Sequence, residues 1–248
     1  MESWKDSFVG PEKNIPEVIV ALDVESGTKA LKLVNDLKEK IRYFKLGSRI
    51  FTSEGPALVK KINRLGCLVF LDLKFHDIPA TVAGSVRAAC GLGVKMLTIH
   101  TTGGMEMMKA AVREADRFQE SGGRRPLLIG VTILTSMSVE DFEVFSPVRK
   151  EMSKLVLELA LKANEAGLDG IVSSAGEADR VRKEFGEDFI IVTPGIRPSG
   201  HSEDDQKRVA TPKSAAEAGS SFLVVGRPVY EASSPPQAVE SILRELEE

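Results

Sequence analysis

The chain has 248 residues, 42% of them hydrophobic and 28% charged, with a formal net charge of −3. That balance is ordinary for a globular protein and gives no general attraction for nucleic acid or an anionic membrane surface. Its two cysteines, Cys67 and Cys90, have no metal-ligand spacing and read as small core residues in a reduced, cytoplasmic setting. Residues 1–16 are polar, with Trp4 and Phe8 the main large apolar side chains, and lack the apolar stretch of a secretory signal. They read as an arm ahead of a catalytic domain over 17–248, and no stretch reaches transmembrane length.

From there short apolar runs alternate with amphipathic stretches. Val18 to Asp23 predicts a first strand and Thr28 to Lys40 a first helix. Tyr43 to Gly47 precedes a helix over Glu54 to Leu65, and Cys67 to Asp72 precedes one over Thr81 to Leu92. Lys95 to His100 leads into a helix over Gly104 to Glu120. Leu127 to Ile133, Gly170 to Ser173, Phe189 to Thr193 and Phe222 to Gly226 complete eight strands. Glycines close several helices, as in Leu65-Gly66 and Ala166-Gly167. No Pro/Ser-rich linker divides the set, so it reads as one α/β domain. Eight βα units in this length predict a (β/α)8 TIM barrel, which takes about 250 residues. A doubly wound sheet would need a glycine-rich turn after an early strand, and Asp23 to Gly27 is not one.

In such a barrel functional groups collect at the C-terminal ends of the strands. Asp23 ends the first, Lys45 lies near the end of the second, Asp72 and Lys74 end the third and His100 ends the fourth. Residues two apart in a strand share a face, so Asp72 and Lys74 are expected to project into one site. Lys45, Asp72, Lys74 and Asp77 alternate in sign, and a network of them would hold each charge between opposite partners. The plainer alternative is a set of loop and surface charges with no shared site. Asp77 lies beyond the strand tip, just before Ile78-Pro79, and can point elsewhere.

Near the other end, Ser221 to Pro228 runs strand, Gly226, Arg227 and helix start. Backbone N–H groups there suit a phosphate, and Arg227 would add a charge-assisted contact; the alternative is a simple helix entry with a surface arginine. The long polar segment from Thr193 to Arg208 has the length of a lid or binding loop, from which Arg197 and Gln206 could reach a ligand. His201 reads as a solvated loop residue, and His100 as a support that hydrogen-bonds to the site. There is no His/Cys cluster for a metal, no P-loop and no recognisable Ser-His-Asp arrangement.

Ala21-Leu22-Asp23, Phe44 to Gly47, Asp72 to Thr81, Leu134 to Met137, Thr193 to Pro198, Asp205-Gln206 and Val225 to Pro228 together resemble the orotidine 5′-phosphate decarboxylase family. The match runs from about residue 17 to the C-terminus. The Asp-x-Lys-x-x-Asp core alone is shared with related phosphate-binding barrels such as 3-keto-L-gulonate 6-phosphate decarboxylase; its combination with the late motifs is specific. The resemblance implies a cofactor-free lyase of pyrimidine synthesis that converts orotidine 5′-monophosphate to uridine 5′-monophosphate and CO2. It implies that Lys74 protonates C6, that Asp72 lies beside the departing carboxylate, and that Lys45 and Asp77 complete the array. Asp23 with Lys45 would bind the ribose. Thr135 or Ser136 and Gln206 would contact the base or bridge towards the phosphate, with Arg197, Gly226 and Arg227 as phosphate ligands. Asp77, Ile78 and Thr81 would reach the neighbouring subunit's site, implying a homodimer. One departure is Ala80, where many relatives have asparagine. The rival readings are a metal-assisted sugar-phosphate lyase or aldolase of the same superfamily, and a catalytically idle phosphate-ligand barrel.

Overall fold

Each apolar run forms a parallel strand, and each amphipathic stretch returns the chain along the outside. The computed structural model describes residues 15–135, 137, 152–198 and 209–247. In chain order these hold β1 (Glu17–Ala21), α1 (Gly27–Leu37), β2 (Tyr43–Gly47), α2 (Ser48–Arg64), β3 (Leu68–Phe75), α3 (Pro79–Gly91), β4 (Met96–His100) and α4 (Met105–Glu120). There follow β5 (Leu127–Val131), α5 (Met152–Ala166), β6 (Gly170–Val172), α6 (Ala175–Phe185), β7 (Ile190–Thr193), α7 (Pro212–Glu217), β8 (Phe222–Val225), α8 (Arg227–Tyr230) and α9 (Pro235–Glu247). The strands pair in sequence order and close, β8 on β1, into the expected (β/α)8 barrel. The predicted arm, as far as residue 14, lies outside the described residues.

The strand period of two sorts the core into two layers. Ile19, Tyr43, Phe70, Met96, Ile129, Val192 and Phe222 fill the barrel interior, where the rings of Tyr43 and Phe222 meet edge-on at 5.2 Å. Their alternates Val18, Val20, Phe44, Leu46, Val69 and Leu97 face outward and pack with Leu33, Val34 and Leu37 of α1 and Val59 and Ile62 of α2. Complete burial of such a side chain contributes about 1.5–3 kcal/mol, so the outward layer fixes the helices to the sheet. At Gly170 a Cβ would come within 2.1 Å of the Ile190 carbonyl oxygen, so β6 and β7 approach closely only because this residue is glycine.

Two boundaries depart from expectation. A helix was expected from Glu54, yet helical structure begins at Ser48 and is kinked at Gly55, whose φ of 61° precedes Pro56. Glycine adopts that left-handed φ at little cost, and proline can open the segment that follows. The larger departure is β3. It continues past Asp72 through Lys74 to Phe75, and its register on β4 shifts: Leu71 pairs with Leu97, but Phe75 pairs with Ile99. Four steps on β3 span two on β4, which is a bulge. Within it Lys74 has φ 52°, the one non-glycine residue with positive φ among those described.

Candidate active site

The inward phase carries the chemistry. Continuing Ile19–Ala21 by two gives Asp23, Tyr43 leads to Lys45 and Gly47, Phe70 leads to Asp72, and Phe222–Val224 leads to Gly226. These residues meet at the C-terminal mouth of the barrel, around a cleft of about 450 Å3 whose lining includes Asp23, Lys45, Asp72, Lys74, Thr135, Arg197, Gly226 and Arg227. Phe70, Val131, Val172, Val192 and Val224 supply its apolar surface.

Four of the charges form a continuous chain. Lys74 Nζ lies 2.8 Å from Asp72 Oδ1, Lys45 Nζ lies 3.4 Å from Asp72 Oδ2, and Lys45 Nζ lies 3.3 Å from Asp23 Oδ1. The side chains of Lys45 and Asp72 are each only 12% exposed, so both charges depend on their partners rather than on water. For Asp72, burial favours the neutral acid, but Lys45, Lys74 and hydrogen bonds from Lys74 and Thr98 outweigh it and hold the carboxyl below its ordinary value. For Lys45, burial favours the neutral amine, but Asp72 and Asp23 outweigh it and raise the ammonium above its ordinary value. Lys45 and Asp72 are therefore both charged throughout the neutral range. Gly47 makes room for it: a Cβ there would stand 3.1 Å from Asp23 Oδ1 and 3.2 Å from Lys45 Nζ.

Asp77 is not a member of this chain. It is exposed, its Oδ1 accepts the Ile78 backbone N–H at 2.7 Å, and it does not line the cleft of its own subunit. Ile78 is 66% exposed and Thr81 is also exposed, both outside that cleft. The four-charge network expected of Lys45, Asp72, Lys74 and Asp77 is thus replaced, within one chain, by Asp23, Lys45, Asp72 and Lys74. The reason is position: Asp77 follows the strand tip and is turned into the entry of α3.

Arg197 is buried and donates to the Ile196 carbonyl at 3.0 Å, while Arg227 opens α8 directly after Gly226. Because α8 is a single turn, the two guanidiniums rather than a helix dipole give this part of the cleft its positive character. Ser136, Gln206 and His201 lie outside the described residues. His100 differs from the expected hydrogen-bonding support: its Nδ1 is buried without a hydrogen-bond partner among the described residues, and its ring lies 5.1 Å from that of His76. Burial, His76 and Lys74 keep its imidazole neutral by lowering its proton affinity.

Three contributors had no assigned role in the sequence reading. Gly47 and Thr98 share the inward phase of their strands, which was the available signal for each. Tyr230 lines the cleft one turn after Arg227 and is visible only once α8 is placed. Among the described residues, no group of three or more His, Cys, Asp or Glu side chains could hold a metal ion. No described helix is long and apolar enough to cross a membrane.

A closed parallel barrel with a chain of alternating carboxylates and ammoniums at its strand tips, buried at its centre, defines an enzyme of the (β/α)8 class whose working groups are fixed charges. Residues 16–242 match the model of the orotidine 5′-phosphate decarboxylase / HUMPS family. The orotidine 5′-phosphate decarboxylase of Legionella pneumophila (strain Lens) is 47% identical over 232 residues, covering 93% of this chain and 99% of that protein. That of Coxiella burnetii (strain RSA 493) is 43% identical over 235 residues, covering 95% and 98%. The crystal structure of orotidine 5′-phosphate decarboxylase from Lactobacillus acidophilus superposes with a TM-score of 0.82 at 37% identity, covering 94% of this chain and all of that one. The chain belongs to the orotidine 5′-phosphate decarboxylase / HUMPS family.

Proposed function

We propose that this protein is a carboxy-lyase that converts orotidine 5′-monophosphate to uridine 5′-monophosphate and CO2, without a cofactor, in pyrimidine synthesis. The observation that carries the reading is the chain Asp23–Lys45–Asp72–Lys74, with Lys45 and Asp72 buried at its centre and Lys74 reaching the cleft. Loss of CO2 from C6 leaves an electron pair in the plane of the ring, where the ring carbonyls cannot delocalise it. A fixed positive charge beside C6 answers that need, because it requires no reorganisation as the negative charge develops. Lys74 is the residue for this role. Its side chain is 35% exposed and lines the cleft, and its ammonium is held by Asp72, so it can stabilise the carbanion and then deliver a proton to C6. The Asp72 carboxylate stands beside the departing carboxylate.

Asp23 and Lys45 are assigned to the ribose, Thr135 or Ser136 with Gln206 to the base and the bridge towards the phosphate, and Arg197, Gly226 and Arg227 to the phosphate. Binding energy gathered at the phosphate is remote from the breaking bond and can hold the base against Lys74. Asp77, Ile78 and Thr81 are assigned to the neighbouring subunit's site in a homodimer. Their exposure outside their own cleft, with an apolar Ile78 side chain among them, supports that assignment. The protein is placed in the cytoplasm, a setting compatible with its two free, buried cysteines.

The test is an absorbance assay with purified protein and orotidine 5′-monophosphate. Steady loss of substrate is expected, and protein that produces no turnover overturns the reading. For the shared site, mixing Lys74→Ala with Asp77→Ala subunits should restore activity to about one quarter of the parent's, since half of randomly formed dimers are mixed and each has one intact site. Mixtures no more active than their components would refute the dimer assignment.

A further inference from the structure

We infer that Thr98 is a positioning residue of the decarboxylation site, its hydroxyl holding the β3 bulge in the shape that presents Lys74 to the substrate. This inference rests on the decarboxylase reading above. Thr98 sits in the middle of β4, fully buried, with Met96 and His100 on the same strand phase. Valine would fill the same volume without a polar atom, so a hydroxyl in this place needs partners to offset its burial.

It has two, and they close a ring. The Lys74 backbone N–H donates to Thr98 Oγ1 at 2.9 Å, and Thr98 Oγ1 donates to Asp72 Oδ1 at 3.0 Å. The direction is forced, because the amide can only donate and the ionised carboxylate can only accept, which commits the single hydroxyl proton to Asp72. The same Asp72 Oδ1 accepts from Lys74 Nζ at 2.8 Å. Thr98 therefore grips the backbone of the proton donor at one end and the partner of its ammonium at the other.

The bulge explains why such a grip is needed. Between the pairs Leu71–Leu97 and Phe75–Ile99 the ladder is interrupted, and the Lys74 N–H is met by a side chain of β4 in place of a strand carbonyl. Lys74 also holds φ 52°, a left-handed conformation that is costly for a side-chain-bearing residue and persists only where its surroundings impose it. Removing the hydroxyl takes away the partner of the part-buried Lys74 N–H and releases the bulge. The ammonium then shifts relative to C6, and a displacement of about 1 Å costs on the order of 100-fold in rate.

The experiment compares the parent with Thr98→Val and Thr98→Ser, measuring kcat and KM for orotidine 5′-monophosphate, affinity for uridine 5′-monophosphate and thermal unfolding. Thr98→Val is expected to lose about 10- to 100-fold in kcat, with KM and product affinity within about threefold of the parent. Thr98→Ser, which restores the hydroxyl, is expected to recover most of that loss. The inference is overturned if Thr98→Val keeps kcat within about threefold, if Thr98→Ser loses as much as Thr98→Val, or if product affinity falls in step with kcat. Should Thr98→Val fail to fold, Thr98→Ala takes its place under the same criteria. A parent without turnover refutes the decarboxylase reading itself, whereas an active parent with an equally active Thr98→Val refutes only the role of Thr98.

Discussion

Replacing Lys74 by alanine removes the group proposed as the proton donor, and the size of the expected effect follows from the charge it would place beside C6. A unit charge about 4 Å from the developing carbanion, in a site with an effective dielectric near 20, contributes about 4 kcal/mol, which is about 10^3 in rate. Loss of the general acid contributes on the order of 10^2 more at the low end of its range. The expected fall in kcat is therefore at least about 10^3 and near 10^5 when both roles are lost together. The fold should survive. Asp72 keeps Lys45 at 3.4 Å and Thr98 at 3.0 Å, and the lost pair was partly solvent-screened, so the cost in stability is about 1 kcal/mol. The assay is loss of substrate absorbance at saturating orotidine 5′-monophosphate, alongside a thermal unfolding curve. A folded Lys74→Ala protein with kcat within tenfold of the parent would refute the proton-donor role.

Three further outcomes are expected. Lys74→Gly should be as inactive as Lys74→Ala but more stable by about 0.5–1 kcal/mol, because glycine accepts the φ of 52° that alanine does not; a glycine variant that melts below the alanine variant would contradict the strained bulge. Arg227→Ala should weaken uridine 5′-monophosphate binding about 10- to 100-fold while leaving uridine affinity unchanged, and an unchanged nucleotide affinity would remove Arg227 from the phosphate site. Stability should depend on pH through Asp72, whose carboxyl is depressed below the ordinary 3.8 by its cationic partners despite burial. Its contribution is complete above the unfolded value and is lost as pH falls through the folded one. Urea midpoints of the parent should therefore drop more steeply than those of Asp72→Asn below about pH 4; parallel curves would show that Asp72 is not held by the array.

Much of the fold was legible because the apolar runs have strand length and helices lie between them, and the inward phase could be followed from Tyr43 to Lys45 and from Phe70 to Asp72. The reach of β3 was not legible. Its bulge depends on a hydroxyl on the next strand, Thr98, which no pattern local to Lys74 encodes. Alternation in sequence joined Asp72 and Lys74 to Lys45 and Asp77, with Asp77 already free to point elsewhere; what alternation could not show is that Asp23, 22 positions from Lys45, closes the chain within one subunit. The kink in α2 was marked by Gly55-Pro56, yet the helical turns before it, beginning at Ser48 directly after β2, had no comparable signal.

If fixed charges alone carry the proposed decarboxylation, turnover needs no metal ion. The direct measurement is to treat the purified protein with a strong chelator, add orotidine 5′-monophosphate, and quantify uridine 5′-monophosphate and CO2 together. One mole of each per mole of substrate consumed, at the rate of untreated protein, is the expected result. Activity that disappears with the chelator and returns with Mg2+, or substrate consumed without CO2, would contradict it.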